Sequence, residues 1–207
     1  SESGRTEFRD KTLRLIGTAV VAISVVAPAL ASEKRKNRTR AALLFVGAGD
    51  VGRSSVARAL AAHLHGDPRR LVRARAGRPT WVNDLAAELA AMPRSVVYVP
   101  DIEAMRPEDR AVVASMLVDG CIHRESGGSV SLEDAIIAIG TRVSCDAGGS
   151  MSPGDVRRRL VAEVGEDLVS AVDRIVLFQQ LAVDDIREIA AEWLDAAAKS
   201  ARGRDGI

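Results

Sequence analysis

Apolar residues along the chain fall into two alternating kinds of run. The first kind is short and continuous: AALLFVG (41–47), SVVYV (95–99), DAIIAIG (134–140) and VDRIVLF (172–178). Such runs, apolar on both sides of the pleat, predict strands buried on both faces of a parallel sheet. LVRARA (71–76) predicts one more short strand. The second kind of run has a helical period. It predicts helices over 54–66, 80–92, 106–120, 152–165 and 182–201, and Gly66, Gly120 and Gly165 supply stop signals. HRESGGSVS (123–131) reads as turn. Strands alternating with helices place the chain in the α/β class, a parallel sheet with helices on both faces.

The N-terminal segment carries two conflicting signals. Arg9, Lys11 and Arg14, then LIGTAVVAISVV and APALAS, imitate a signal peptide. Ile16, Val20, Ile23, Ala27 and Leu30, however, recur as one stripe of an amphipathic helix, and Gly17, Thr18, Ser24 and Pro28 interrupt a run already short for a membrane span. With no initiating methionine, the segment is expected to be a packed helix inside a longer protein. SEKRKNRTR (32–40) then reads as a basic, solvated linker. The expected organisation is an N-terminal helix and linker over 1–40, a main domain over 41–201 and a tail over 202–207.

Composition adds little to this outline. The 207 residues are 47% hydrophobic, enough for one full-sized core. The balance of 29 basic against 28 acidic residues gives no field that would select nucleic acid, and no membrane partner is expected. Cys121 and Cys145 form no disulfide framework and are expected to be buried thiols in a reducing compartment. Ser144, Cys145 and Asp146 share a glycine-rich loop without a histidine to complete a nucleophilic set. His63 and His65, near a helix end, are expected to complement the helix dipole rather than bind metal. Arg69, Arg70, Arg73, Arg75 and Arg78, and likewise Arg157–Arg159, read as solvated basic faces.

The candidate chemistry lies between the first strand and its helix. GAGDVGRS (47–54) departs by one residue from G-x-x-x-x-G-K-[ST], a loop whose backbone amides cradle phosphate, because Arg53 replaces the lysine. Gly47, Gly49, Asp50, Val51, Gly52, Arg53, Ser54 and Ser55 form the candidate nucleotide-binding set. Hydrolysis needs more: a lysine on the β and γ phosphates, a hydroxyl and an acidic residue on magnesium, and a group that orients water. Arg53 keeps the charge, but its planar fork is wider than an ammonium.

Four segments taken in order, 43–73, 95–109, 117–142 and 166–190, resemble the second AAA+ module of the Clp unfoldase and disaggregase family. The resemblance implies an AAA+ P-loop NTPase fold whose C-terminal small (lid) domain is absent or only begun. Laid on the family pattern, VVYVPDIEAMRPE puts Pro100 at the magnesium-side aspartate and Asp101 at the catalytic glutamate. Arg142 falls at the sensor asparagine and Ala171 at the arginine finger. Asp101 therefore joins the candidate site as a vestigial member, no residue is assigned a catalytic role, and no metal site is expected. An arginine finger alone is worth about 10³–10⁵ in rate. A pseudo-ATPase follows, one that binds ATP or ADP weakly if at all.

The pore-loop insertion of active members has no counterpart in RARAGRPTWVNDLAAELAAMPRSVV (73–97), where Trp81 is the one aromatic residue and is expected to anchor the following helix. TWVNDLAAE (80–88) and GGSVSLEDAII (127–137) further resemble the Clp-like repressors of plant strigolactone and karrikin signalling, although GRPT (77–80) stands where some members have R-G-K-T. That resemblance implies a protein-interaction module with a receptor, ubiquitin ligase or corepressor as partner, homo- or hetero-oligomers, and a nuclear location. The alternative is an ATP-binding subunit of a Clp-type chaperone or unfoldase ring with residual ATPase activity, located in the cytoplasm.

Overall fold

A computed structural model describes residues 38–49, 51–124, 127–143 and 153–178, all within one compact unit. The expected N-terminal helix, the closing helix over 182–201, the tail, Asp50 and Cys145 lie outside the described residues.

Strand β1 (Ala41–Val46) is buried along its whole length, as the continuous apolar run requires. It is followed by α1 (Arg53–His65), β2 (Leu71–Arg73), α2 (Trp81–Ala91), β3 (Val96–Val99) and α3 (Pro107–Asp119). A hairpin of β4 (Cys121–His123) and β5 (Ser129–Ser131) leads to β6 (Ile136–Thr141), and α4 (Pro153–Val164) and α5 (Glu166–Ala171) lead to β7 (Arg174–Leu177). Five strands form one parallel sheet in the order β2-β3-β6-β1-β7. β1 pairs with β6 from Ala41 opposite Ile136 to Val46 opposite Thr141.

Successive residues of a strand point to opposite faces, so each strand feeds two cores. Leu43, Phe45, Val96, Tyr98, Ile136 and Ala138 pack with Val56, Ala57 and Leu60 of α1. Ala42, Leu44, Val97, Val99, Ile137 and Ile139 pack instead with α2, α3, α4, α5 and the hairpin. Among the described residues one face thus carries a single helix and the other carries four.

Trp81 is the pin of the larger face. It is buried at the start of α2, and its indole N–H donates to Oδ1 of the buried Asp109 at 2.8 Å. Arg106 donates to the same carboxylate from Nε at 2.9 Å and from Nη2 at 3.2 Å. The hydrogen bonds from Arg106, then that from Trp81, hold the Asp109 carboxyl below its usual pKa against the opposing effect of burial. A charge-assisted bond of this kind contributes about 1.5–3 kcal/mol.

Several sequence expectations need correction. The turn-rich 123–131 contains β5 and pairs back on β4, with Ile122 opposite Val130. The strand expected over 71–76 ends at Arg73, and α5 was not anticipated. Cys121 is half-buried rather than buried, its Sγ 3.5 Å from Nε2 of His123. His63 and His65 do lie in the last turn of α1, but burial first, then Arg70, Arg40 and Arg94, lowers the pKa of His65. His65 is therefore neutral near pH 7 and adds no charge to the helix end. Among the described residues no helix is long and apolar enough to cross a membrane.

Candidate functional site

The sheet order brings the carboxyl ends of β2, β3, β6 and β1 side by side, where open α/β sheets bind ligands. Arg73 closes β2, Pro100 and Asp101 follow β3, Arg142 follows β6, and Gly49, Gly52, Arg53 and Ser54 follow β1. Together with Tyr98 they line a single cleft of about 270 Å³.

The loop after β1 keeps the backbone that its glycines imply. Gly52 stands at φ +89° as the N-cap of α1, a left-handed conformation natural to glycine, and has no side chain to cap the helix itself. The first amides of a helix have no partner within it and suit an anion. Gly47 has a different reason. A Cβ there would lie 2.8 Å from Cβ and 2.9 Å from the carbonyl of Phe178, so the glycine lets β7 close against the loop. Phe178 N–H donates to the Val46 carbonyl at 2.7 Å, and its ring packs on Phe45 with centroids 5.2 Å apart.

The side chains do something else. Arg53 is 7% exposed and reaches across the end of β6, where its Nη2 donates to Asp101 Oδ1 at 3.0 Å. Gly140 makes room for it: a Cβ at that position would meet Arg53 Nη1 at 3.3 Å and the Tyr98 hydroxyl at 2.8 Å. A glycine inside a strand often marks such a close approach. Arg53 Nη1 is buried without a hydrogen-bond partner among the described residues, an arrangement that costs about 1–3 kcal/mol.

From the other side Arg142 Nη2 donates to Asp101 Oδ2 at 2.7 Å, while the Arg142 backbone N–H donates to Glu103 Oε1 at 2.9 Å. Each carboxylate oxygen of Asp101 thus has its own guanidinium. Arg142, ahead of Arg53, holds this carboxyl below its usual pKa although burial opposes the shift. Asp101 itself sits at φ +45°, a left-handed position that aspartate tolerates better than most side chains.

These contacts decide how the cleft suits the groups the fold implies. A magnesium ion does not fit. Among the described lining residues Pro100 offers no side-chain oxygen, both oxygens of Asp101 are taken by cations, and Ser54 alone supplies a conventional ligand. Phosphate fits better, since Gly49 and Gly52 leave open space and the start of α1 lines the cleft. Ala171, which the resemblance lays on the arginine finger, is 6% exposed and belongs to the core, where its carbonyl accepts from Arg38 Nη2 at 3.3 Å.

Of the sequence-predicted set, Gly49, Gly52, Arg53, Ser54 and Asp101 meet in the cleft. Gly47 and Val51 serve the packing beneath it, and Ser55 is exposed to one side. Two lining residues were not anticipated, Arg73 and Tyr98. Arg73 was expected on a solvated basic face, yet its guanidinium carbon lies 5.6 Å from the centre of the Tyr98 ring at the mouth of the cleft. The available signal was its place at the carboxyl end of a strand.

Comparison with known proteins agrees with this geometry. No family model matches the chain. It is 22% identical over 214 residues to the chaperone protein ClpB of Malacoplasma penetrans, covering 94% of this chain and 30% of ClpB. It is 25% identical over 238 residues to the ATP-binding subunit ClpA homologue of the ATP-dependent Clp protease in Pyropia yezoensis, covering 94% of this chain and 29% of that protein. The chain thus spans less than a third of the length of these curated relatives. A closed-state structure of Hsp104 with ATPγS and FITC casein superimposes with a TM-score of 0.73 at 21% identity, covering 99% of this chain and 39% of that one.

The described residues carry the AAA+ P-loop NTPase fold. Their relatives are Clp-type AAA+ proteins.

Proposed function

We propose that this chain is a Clp-type AAA+ module that does not hydrolyse ATP and acts by binding other proteins. The observation that carries the reading is Asp101 held between Arg53 and Arg142, a carboxylate committed to two cations at the position where hydrolysis needs a water-orienting acid. Pro100 beside it and the buried Ala171 remove groups that act at other steps of the same reaction. Groups that act as a unit are not replaced one at a time, so turnover is expected to be negligible. Protein partners and oligomers are proposed by analogy with a relative, since the Hsp104 structure includes casein.

A narrower reading makes the module part of a hormone-signalling repressor in the nucleus, with a receptor, ubiquitin ligase or corepressor as partner. Its support is the sequence likeness over 80–88 and 127–137. Trp81, Leu85 and Ala86 of the first segment and Leu132, Ala135 and Ile136 of the second are buried, so demands of the AAA+ core account for them equally well.

A second reading has support of its own. The Pyropia relative is an ATP-binding subunit, and a subunit deficient in hydrolysis can sit in a ring whose neighbours are active. The two readings separate in one experiment: mix the chain with catalytically competent ClpB subunits and follow phosphate release and co-sedimentation. The proposal expects no turnover attributable to this chain. Co-assembly with turnover that changes on Arg53→Ala would favour the ring subunit instead.

A further inference from the structure

The cleft contains more positive charge than a vestigial site requires. Among the described residues three guanidiniums and one carboxylate line it, where a metal-dependent site would gather acids. The arginines come from three different strand ends: Arg73 from β2, Arg142 from β6, and Arg53 from the loop after β1. They share the cleft with Gly52 and Ser54 at the start of α1, a helix of 13 residues whose first residue is Arg53. Arg53 is more than nine-tenths buried, lines the cleft, and keeps its Nη1 without a partner among the described residues. Its bond to Asp101 is the only tie holding the guanidinium in that resting position among the described contacts.

We infer that this cleft binds a di- or triphosphate without a divalent cation, Arg53, Arg73 and Arg142 supplying the positive charge that magnesium supplies in hydrolysing relatives of the fold. The inference rests on the reading of the cleft as unable to hydrolyse and names the ligand class of that same site. Guanidiniums suit the task, because their planar forks pair bidentately with phosphate oxygens. Asp101 is then an internal counter-ion: it occupies Arg53 and Arg142 in the empty cleft and yields them to the stronger, multiply charged anion. Magnesium acts against the ligand twice. It neutralises part of the phosphate charge before binding, and the one carboxylate among the described lining residues is already paired with two arginines.

The shared chemistry is a chain of two or three phosphates, which a nucleotide or an inorganic polyphosphate could bring. Calorimetric titration of the 207-residue chain with ADP, ATP and pyrophosphate, each in EDTA and again in excess magnesium, separates these sources. Binding of at least one of them in EDTA, no tighter in magnesium, is the expected result. Equal affinity for ADP and pyrophosphate assigns recognition to the phosphates alone, and tighter ADP binding adds a contact to the nucleoside. Arg142→Ala, at an exposed side chain, should weaken binding about tenfold while its melting curve verifies folding. Asp101→Asn should tighten binding, because it removes the competing anion.

Tightening by magnesium of about tenfold or more, or no binding of any of the three in EDTA, would overturn the inference. Phosphate release measured on the same samples keeps the two readings apart. Absent binding with absent turnover removes the ligand and leaves the non-hydrolysing module, whereas magnesium-dependent turnover removes both.

Discussion

The loop after β1 and the turn after β3 flank the end of β6, and they have fared differently. The first keeps its backbone: Gly52 still turns left-handed into α1, and Gly47 still admits Phe178. The second has proline at 100 and Asp101 held by arginines from both sides. The glycines do structural work whether or not nucleotide turns over, because replacing them costs packing or backbone strain. Asp101 is held by side chains instead, those of Arg53 and Arg142. The loop is thus held by backbone conformation and packing, and the turn by side-chain ion pairs.

The contrast predicts where function can and cannot be restored. Arg53→Lys alone should give no turnover above background, since the second strand still lacks its acids, whereas active sites of this kind gain orders of magnitude only when their groups are present together. Robust phosphate release from the single variant would break the comparison at its strongest point. Adding Pro100→Asp and Asp101→Glu is the minimum for any recovery.

Stability tests the other half. Gly47→Ala should destabilise the domain by about 1–3 kcal/mol, because the new methyl meets the Phe178 backbone at 2.9 Å, and chemical denaturation measures it. Gly49→Ala, facing open space in the same loop, should change stability by less than about 0.5 kcal/mol. Equal effects of the two would mean that the loop is not kept for packing.

A smaller cost, about 1–2 kcal/mol near neutral pH, is expected for Asp101→Asn, which leaves the buried Arg53 without a charged partner. The pH dependence of that cost has a definite sign. The folded pKa of Asp101 lies below the ordinary value near 3.9, so its contribution is complete above that value and is lost as the pH falls through the folded pKa. The stability difference between wild type and Asp101→Asn should therefore hold from about pH 7 to pH 5 and shrink below about pH 4. A difference that stayed constant down to pH 3 would deny the ion pairs their role.

Much of the fold was legible because its signals are local. AALLFV and DAIIAIG are continuous apolar runs, and the β1 loop is a motif of eight consecutive residues. The hairpin escaped because β4 and β5 have three residues each, with only Ile122 and Val130 pointing inward, too few to establish a period. α5 escaped for the same reason, at six residues. Within the site, the substitutions at 53, 100 and 142 could be read one by one, but their meeting could not. Arg53 reaches Asp101 only because β6 lies between β1 and β3 with a glycine at 140, and Arg73 joins them only because β2 lies beyond β3. Strand order, unlike strand position, is written in no single segment.

The central claim is that Asp101 belongs to its arginines and not to a reaction. Steady-state phosphate release from the purified 207-residue chain with magnesium-ATP tests it most directly. Release indistinguishable from buffer, for wild type and Arg53→Ala alike, is the predicted result; turnover that Arg53→Ala abolishes would contradict it.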